Sequence, residues 1–545
     1  MTMNTVFDVA ILGGGLAGGS LARQLQLEAP ALRILVVEKR QHPVREAAFK
    51  VGESSVEIGA HYFQKRLGLE PHLRSGQLEK LGLRYFFTHG DNRDLAARFE
   101  LGPASFPPVP SFQLDRGRFE NYLLSTVRAT GADVRDACRV REITLGADAH
   151  RISIASPEGM QTVTARWVVD ASGRAGLLKR QLGLARPSTH GANACWFRVA
   201  SRVRLDDWSN DPAWRARVPA GNRWLSTNHL MGPGYWVWLI PLGSGSTSIG
   251  IVADADMHPY HRLNRFERAM DWLREFEPQC ADVVEPFSGQ LEDFLALQHY
   301  AHGCAQVFSA DRWALVGEAG VFTDPFYSPG SDFIAIGNDY TTDLILRDLA
   351  GEDVSGRAAA FNTTYLRLFD AFIRLYDGQY PIMGNAQVMT AKIAWDNACY
   401  WAITGLLFFQ RRFRQPVFID SIDSLMRRFF VLHARMQQLL REWDRADAGS
   451  TYSPESTSVV DVDWLRRLQA SLGDPLMSDE ELRATLSANF ELLENFAAGW
   501  QAHASQRHPG LARVVSTPAS PQMLDFTELI LKPVLQNVRT ATRTS

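Results

Sequence analysis

The chain has 545 residues, of which 46% are apolar and 21% charged, and a formal net charge of −3. That length is too great for one simple core and calls for two or three packed units. The charge balance excludes the strong basic bias of a nucleic-acid binder or of a protein drawn to anionic membranes.

In chain order, "VFDVAILGGGLAGGSLARQLQ" runs from an apolar strand through glycines into an apolar-periodic helix, and "VFDVAIL" reads as a strand start and not as a signal peptide. Gly13, Gly15 and Gly18 satisfy GxGxxG, and "ILVVEKR" follows as a second strand ending in Glu38. The glycines permit a tight turn, close approach of backbone to a pyrophosphate and close helix–strand packing; the acid is placed to accept from a ribose hydroxyl. The next segment, around "VGES", carries two lysines of interest, Lys50 and Lys80. "SFQLDRGRFENYLL" places Arg116 and Arg118 just ahead of a helix with apolar Phe119, Tyr122 and Leu123. "ARWVVDASGRAGLLKR" is an apolar strand ending in Asp170, Ser172 and Gly173.

"WVWLIP", residues 236–241, is a strand on which Trp236, Trp238 and Ile240 share one face and Pro241 ends the run. Two indoles on one face make a rigid block. Another apolar strand leads to Gly317 and Glu318, then a turn-rich loop with Phe322, Pro325, Ser328, Gly330 and Ser331, and a helix. His299 and His302 lack companion ligands, so no metal site is expected. Beyond residue 350 the apolar spacing is helical, with an exposed polar loop expected over 444–461. "YWAITGLLFFQRRFR" reads as a core helix with a basic end, and its apolar run, 400–409, is too short to span a bilayer. Five scattered cysteines without a CxxC pair suit reduced thiols in a cytoplasm.

These segments, in this order, resemble the FAD-dependent monooxygenase superfamily. Within it, WVWLIP matches the WxWxIP signature of flavin-dependent halogenases, and Phe322, Pro325, Ser328 and Gly330 match their F-x-x-P-x-x-S-x-G signature. The resemblance covers roughly the first 350 residues. It implies an α/β fold: a Rossmann-like FAD-binding domain with an inserted antiparallel β-sheet and a mostly helical C-terminal region. The flavin module is placed at 1–350, its substrate-side sheet at about 190–255 and the helical region at 351–545. It further implies that FAD, as FADH2, is held by Gly13, Gly15, Gly18, Glu38, Arg116, Asp170, Gly317 and Glu318, with O2 and halide as co-substrates. Arg116 would contact the flavin nucleotide and Gly317–Glu318 the ribityl chain, although the family usually has aspartate where this chain has Glu318. The tryptophans would stand by the passage between flavin and substrate. Hypohalous acid would pass along it to a lysine, and Lys80 matches the family position better than Lys50 does.

Two residues depart from the family. Tyr327 stands where tryptophan-specific halogenases carry a glutamate, which argues for an activated phenol, pyrrole or indole-type ring and not free tryptophan. Pro329 has no N–H, so the halide loop loses one donor and relies on Gly330 with Ser331. The expected function is halogenation of a small electron-rich aromatic, free or held on a carrier protein. A separate reductase supplies the reduced flavin, because no second dinucleotide fingerprint is visible. The alternatives are an FAD-dependent aromatic hydroxylase and a catalytically silent flavin-binding relative.

Overall fold

β1 (Val6–Leu12), α1 (Leu16–Glu28) and β2 (Ile34–Val37) form the opening strand–helix–strand unit of a computed structural model that describes residues 6–47, 50–447, 456–458, 462–511 and 515. Nearly every residue of β1 and β2 is apolar and buried because both faces of this parallel pair are covered. There follow α2 (Glu57–His61), β3 (Leu83–Phe87), α3 (Arg116–Ala129) and the long β4 (Gly159–Asp170). β1 lies between β2 and β4, parallel to both, with Leu12 opposite Asp170. The far half of β4 pairs with the antiparallel strand His150–Ser156, completing the first sheet on that side together with Arg139–Thr144.

The second sheet is built on β5 (Ala192–Val199), β6 (Thr227–Gly232), β7 (Tyr235–Pro241), β8 (Thr247–Asp254) and β9 (Leu291–Leu297). Its order is β9–β5–β8–β7–β6–β3, continued by the short strands Glu100–Leu101 and Ser456–Thr457. It is therefore wider than the 190–255 segment, and β3 joins β6 in parallel. Alternation divides β7 between two cores. Tyr235, Val237 and Leu239 pack under the helix Phe266–Phe276, while Trp236, Trp238 and Ile240 face the flavin-side core. Gly250, opposite Trp238, leaves space for the indole: a Cβ there would lie 2.2 Å from the ring. Buried Arg198 of β5 bridges Glu53 at 2.8 Å and Asp293 at 2.9 Å, tying the "VGES" segment to this sheet.

β10 (Trp313–Leu315) adds to the end of β4, and the loop after it enters α4 (Gly330–Leu349). The helices α5 (Ser355–Arg374), α6 (Ala386–Cys399), α7 (Asp423–Ala446) and α8 (Asp479–Arg507) then build the C-terminal region. α8 opens on a capping box, Ser478 with Glu481. The predicted loop over 444–461 lies mostly outside the described residues. No described helix is long and apolar enough to cross a membrane.

Candidate active site

One cavity of about 550 Å³ extends from the N-terminus of α1 to the tryptophans of β7 and the loop before α4. Gly13 has φ +128° and its Cβ would fall 2.3 Å from the Ala171 carbonyl oxygen, so the turn needs glycine. A Cβ at Gly18 would strike the Gly13 carbonyl oxygen at 1.9 Å; this glycine serves helix–strand packing and does not line the cavity. Gly15 is different: its Cβ would meet nothing nearer than Lys50 Nζ at 3.8 Å, an ordinary contact, at the edge of the cavity that the residue lines. Glu38 lines the cavity beside this turn and accepts from the Gly14 N–H at 2.8 Å and the Arg40 N–H at 2.9 Å.

Arg116 and Arg118 lie inside the first turn of α3, not ahead of it, because Asp115 caps the helix by accepting from the Arg118 N–H. Arg116 pairs with Glu120 at 2.6 Å, donates to the Val51 carbonyl and lines the cavity with Lys50 and Arg174. Tyr122 is exposed and stacks on His72, so it is no core residue. Asp170 is also corrected. Its carboxylate is buried and accepts from the Ser172 and Leu178 N–H groups, so it shapes the turn and does not reach the cavity. Gly317, at φ +59°, and Glu318 both line the cavity. Burial raises the Glu318 carboxyl against the opposing pull of Arg174, Arg116 and Lys50, and its side chain has no hydrogen-bond partner among the described residues.

At the other end, Trp236, Trp238 and Ile240 join Trp196 in the wall, whereas Pro241 does not reach it. Both indoles of β7 are pinned, Trp236 Nε1 donating to Tyr380 Oη at 3.0 Å and Trp238 Nε1 to Ser248 Oγ at 3.1 Å. Opposite stand Phe322, Pro325, Ser328, Gly330 and Ser331. Ser328 is left-handed at φ +58°, and Pro329 caps α4. The Asp332 and Phe333 N–H groups both turn back to the Pro329 carbonyl. The N–H groups of Gly330 and Ser331 have no partner among the described residues. Two adjacent N–H groups therefore remain open among the described residues at the start of a 20-residue helix.

The two lysines part company. Lys50 pairs with Glu120 on the α1 side of the cavity. Lys80 follows the short strand Leu78–Glu79, is 1% exposed, and donates to Ser54 Oγ at 3.0 Å and to the Ser55 carbonyl. Ser54 lines the large cavity, while Lys80 itself lines a smaller one of about 70 Å³ beyond it. Burial pulls its ammonium down to about 8, with Glu57 and Asp332 opposing.

Residues 6–248 match the family model of the FAD binding domain. Over 458 residues the chain is 28% identical to a flavin-dependent halogenase of Dictyostelium discoideum, covering 77% of this chain and 73% of that one. It is 27% identical over 350 residues to a Pseudomonas fluorescens chlorinase named for 1H-pyrrole-2-carbonyl on a peptidyl-carrier protein, covering 59% of this chain and 72% of the relative. The crystal structure of the halogenase PltM aligns with a TM-score of 0.64 at 16% identity, over 98% of each chain.

The chain resembles flavin-dependent halogenases over most of its length. This halogenase is an FAD-dependent oxidoreductase, and its cavity fits that cofactor: an open glycine cradle at a helix N-terminus for phosphates, cations from Lys50, Arg116 and Arg174 near it, and the unpartnered Glu318 for a hydroxyl. Sequence reasoning missed four polar groups of this halogenase. Asp324, inside the F-x-x-P motif, accepts from His190 Nε2 at 2.7 Å and from the hydroxyls of Tyr300 and Tyr380, and so braces the partner of Trp236. His229 lines the cavity, and burial lowers it to about 3, so it is neutral. Asp332 accepts from the Gly59 N–H and the Tyr400 hydroxyl, and burial raises it to about 8. Glu57 lies at the start of α2. Of the four, only Asp324 lies inside a motif that draws notice; the others gain their meaning from neighbours distant in sequence.

Proposed function

We propose that this halogenase transfers halogen from hypohalous acid, held by Lys80, to an electron-rich aromatic ring of phenol, pyrrole or indole type. The observation that carries this reading is Lys80 itself, a buried ammonium hydrogen-bonded to a residue of the flavin cavity while lining a separate small cavity. Reduced FAD with O2 supplies the oxidant that converts halide to hypohalous acid. Gly13, Gly15, Glu38, Arg116 and Glu318 hold the cofactor. The open N–H groups of Gly330 and Ser331 hold the halide, where helix-terminal donors favour an anion. Trp236 and Trp238, fixed by their hydrogen bonds, keep the organic substrate away from the flavin end while a small acid passes. Lys80 uses two of its three N–H donors on Ser54 and Ser55. The third donates to the oxygen of hypohalous acid, polarising the oxygen–halogen bond.

A separate reductase supplies the reduced cofactor. The test is incubation with FAD, a flavin reductase, NADH and bromide, with phenols, pyrroles, indoles and a carrier-linked pyrrole, read by mass spectrometry. Halogenated product is expected, and Lys80→Ala should remove it while FAD binding and oxygen consumption persist. Oxygen incorporated without halogen would instead assign a hydroxylase.

A further inference from the structure

Two small cavities, each about 70 Å³, lie beyond Lys80, and Val56, Glu57, Leu83 and Asn397 line both. Together they approach the roughly 150 Å³ that accepts benzene in an engineered apolar cavity. One has Lys80 and Tyr85 in its wall; the other has Tyr327, Asp332, Phe372 and Phe429. Glu57 sits at the seam and is 8% exposed. Its Oε1 accepts from both Trp401 Nε1, at 2.9 Å, and Gln469 Nε2. Its Oε2 has no hydrogen-bond partner among the described residues, and Lys80 feels its charge without direct ion-pair contact. The Tyr85 hydroxyl in the same wall is also buried and has no partner among the described residues. A buried carboxylate with one oxygen clamped by two donors and the other left open is costly unless a donor arrives to meet it.

We infer that Glu57 is the substrate-side carboxylate: its free oxygen accepts the O–H or N–H of the ring to be halogenated, orients the ring towards Lys80 and takes its proton during halogen transfer. It performs from α2 the task for which the signature loop offers Tyr327. The preferred substrates are phenols and N–H heterocycles, and their O- or N-methylated analogues are poor ones.

This inference rests on the proposed reaction at Lys80, and the step balances. The ring carbon forms its bond to halogen as the oxygen–halogen bond breaks, so the halogen is reduced and the ring oxidised. The departing hydroxide takes the Lys80 proton and leaves as water. The heteroatom proton moves to Glu57 as the ring electrons are pushed. The ring C–H proton then returns to the neutral lysine, and Glu57 gives its proton back to the heteroatom.

The test is a spectrophotometric pH titration of 4-nitrophenol bound to the FAD-loaded full chain. A carboxylate facing the hydroxyl favours its protonated form, so the pKa of the bound phenol should lie about one unit or more above that in Glu57→Gln. That variant keeps the clamped oxygen but points an N–H donor into the cavity. The other ionisable groups lining the two cavities, among them Lys80, Asp332, Asp396, Tyr400 and His433, are common to both proteins, so the difference isolates Glu57. Glu57→Asp, which retains the charge, should fall between, and it serves if the glutamine variant misfolds. Turnover of a phenol relative to its methyl ether should drop at least tenfold in Glu57→Gln, with FAD content and halide-dependent hypohalous acid release maintained. Equal bound pKa values, or no saturable binding to wild type, would overturn the inference. Because the titration needs no turnover, it stands apart from any failure of the wild type to halogenate.

Discussion

At the scale of single residues, Gly15 and Lys80 show how position alone turns ordinary groups into chemistry. Gly15 is not in a left-handed conformation, and the protein leaves room for its missing side chain; under the proposed cofactor placement that room is for the phosphates. Gly15→Val should therefore fold with a melting temperature close to that of the wild-type apoprotein yet lose FAD, read by absorbance of the purified protein. Retained cofactor would mean the pyrophosphate lies elsewhere. Lys80 gives a pH signature. Its ammonium, lowered to about 8 by burial, is mostly present at pH 7 and is lost as pH rises through that value. Halogen transfer should then decline above about pH 8 while oxidation of the reduced cofactor continues. A flat profile to pH 9 would argue for a neutral amine as the working form. Neither property is written in the residue type, since most lysines and glycines are exposed or conformational.

Among the elements, the start of α4 is where the proposed halide site lies. Proline at the cap removes one N–H but also fits the turn into the helix, and the donors shift one place along to Gly330 and Ser331. α2 approaches this end so closely that a Cβ on Gly59 would lie 2.1 Å from Ser331 Oγ. Pro329→Ser, which restores the missing N–H, should accordingly change the KM for chloride or bromide by less than about threefold. If Pro329 left the site one charge-assisted hydrogen bond short, worth about 1.5–3 kcal/mol, the gain would be tenfold or more. Steady-state kinetics over a halide series separates these results.

For the whole molecule, the helical region and the flavin module form one continuous construction. α5, α6 and α7 provide much of the wall around the small cavities, and Tyr380 reaches back to Trp236. The joint includes a buried cluster in which Lys392 pairs with Asp396 at 2.9 Å, while Asp396 also accepts from the Tyr327 hydroxyl and from Gln437. Removing one partner strands the other charge, whereas replacing both with apolar residues does not. Lys392→Met should cost about 3–5 kcal/mol, and adding Asp396→Leu should recover only part of it, because the Tyr327 hydroxyl and the Gln437 amide then lose their partners. Chemical denaturation of the four proteins of that cycle checks it. Equal losses in the single and double variants would mean that the cluster's packing, not its charge, holds the joint.

The amino-acid sequence by itself determined the elements whose cause is local. The strand–glycine–helix start, the alternation that puts Trp236, Trp238 and Ile240 on one face, and the helical spacing beyond residue 350 follow from side-chain period and backbone freedom, which act over a few neighbours. Asp170 and Arg118 went astray for the same reason: a polar residue at a strand or helix end serves a ligand or a cap equally well until its partners are known. The tertiary structure alone decided that Asp170 closes on Ser172 and Leu178, that the Gly330 and Ser331 N–H groups have no partner among the described residues, and that Glu57 and Lys80 line one small cavity. The Glu57 contacts, to Trp401 and Gln469, join segments hundreds of residues apart. Such contacts are set by how the layers pack, and no short-range pattern records them.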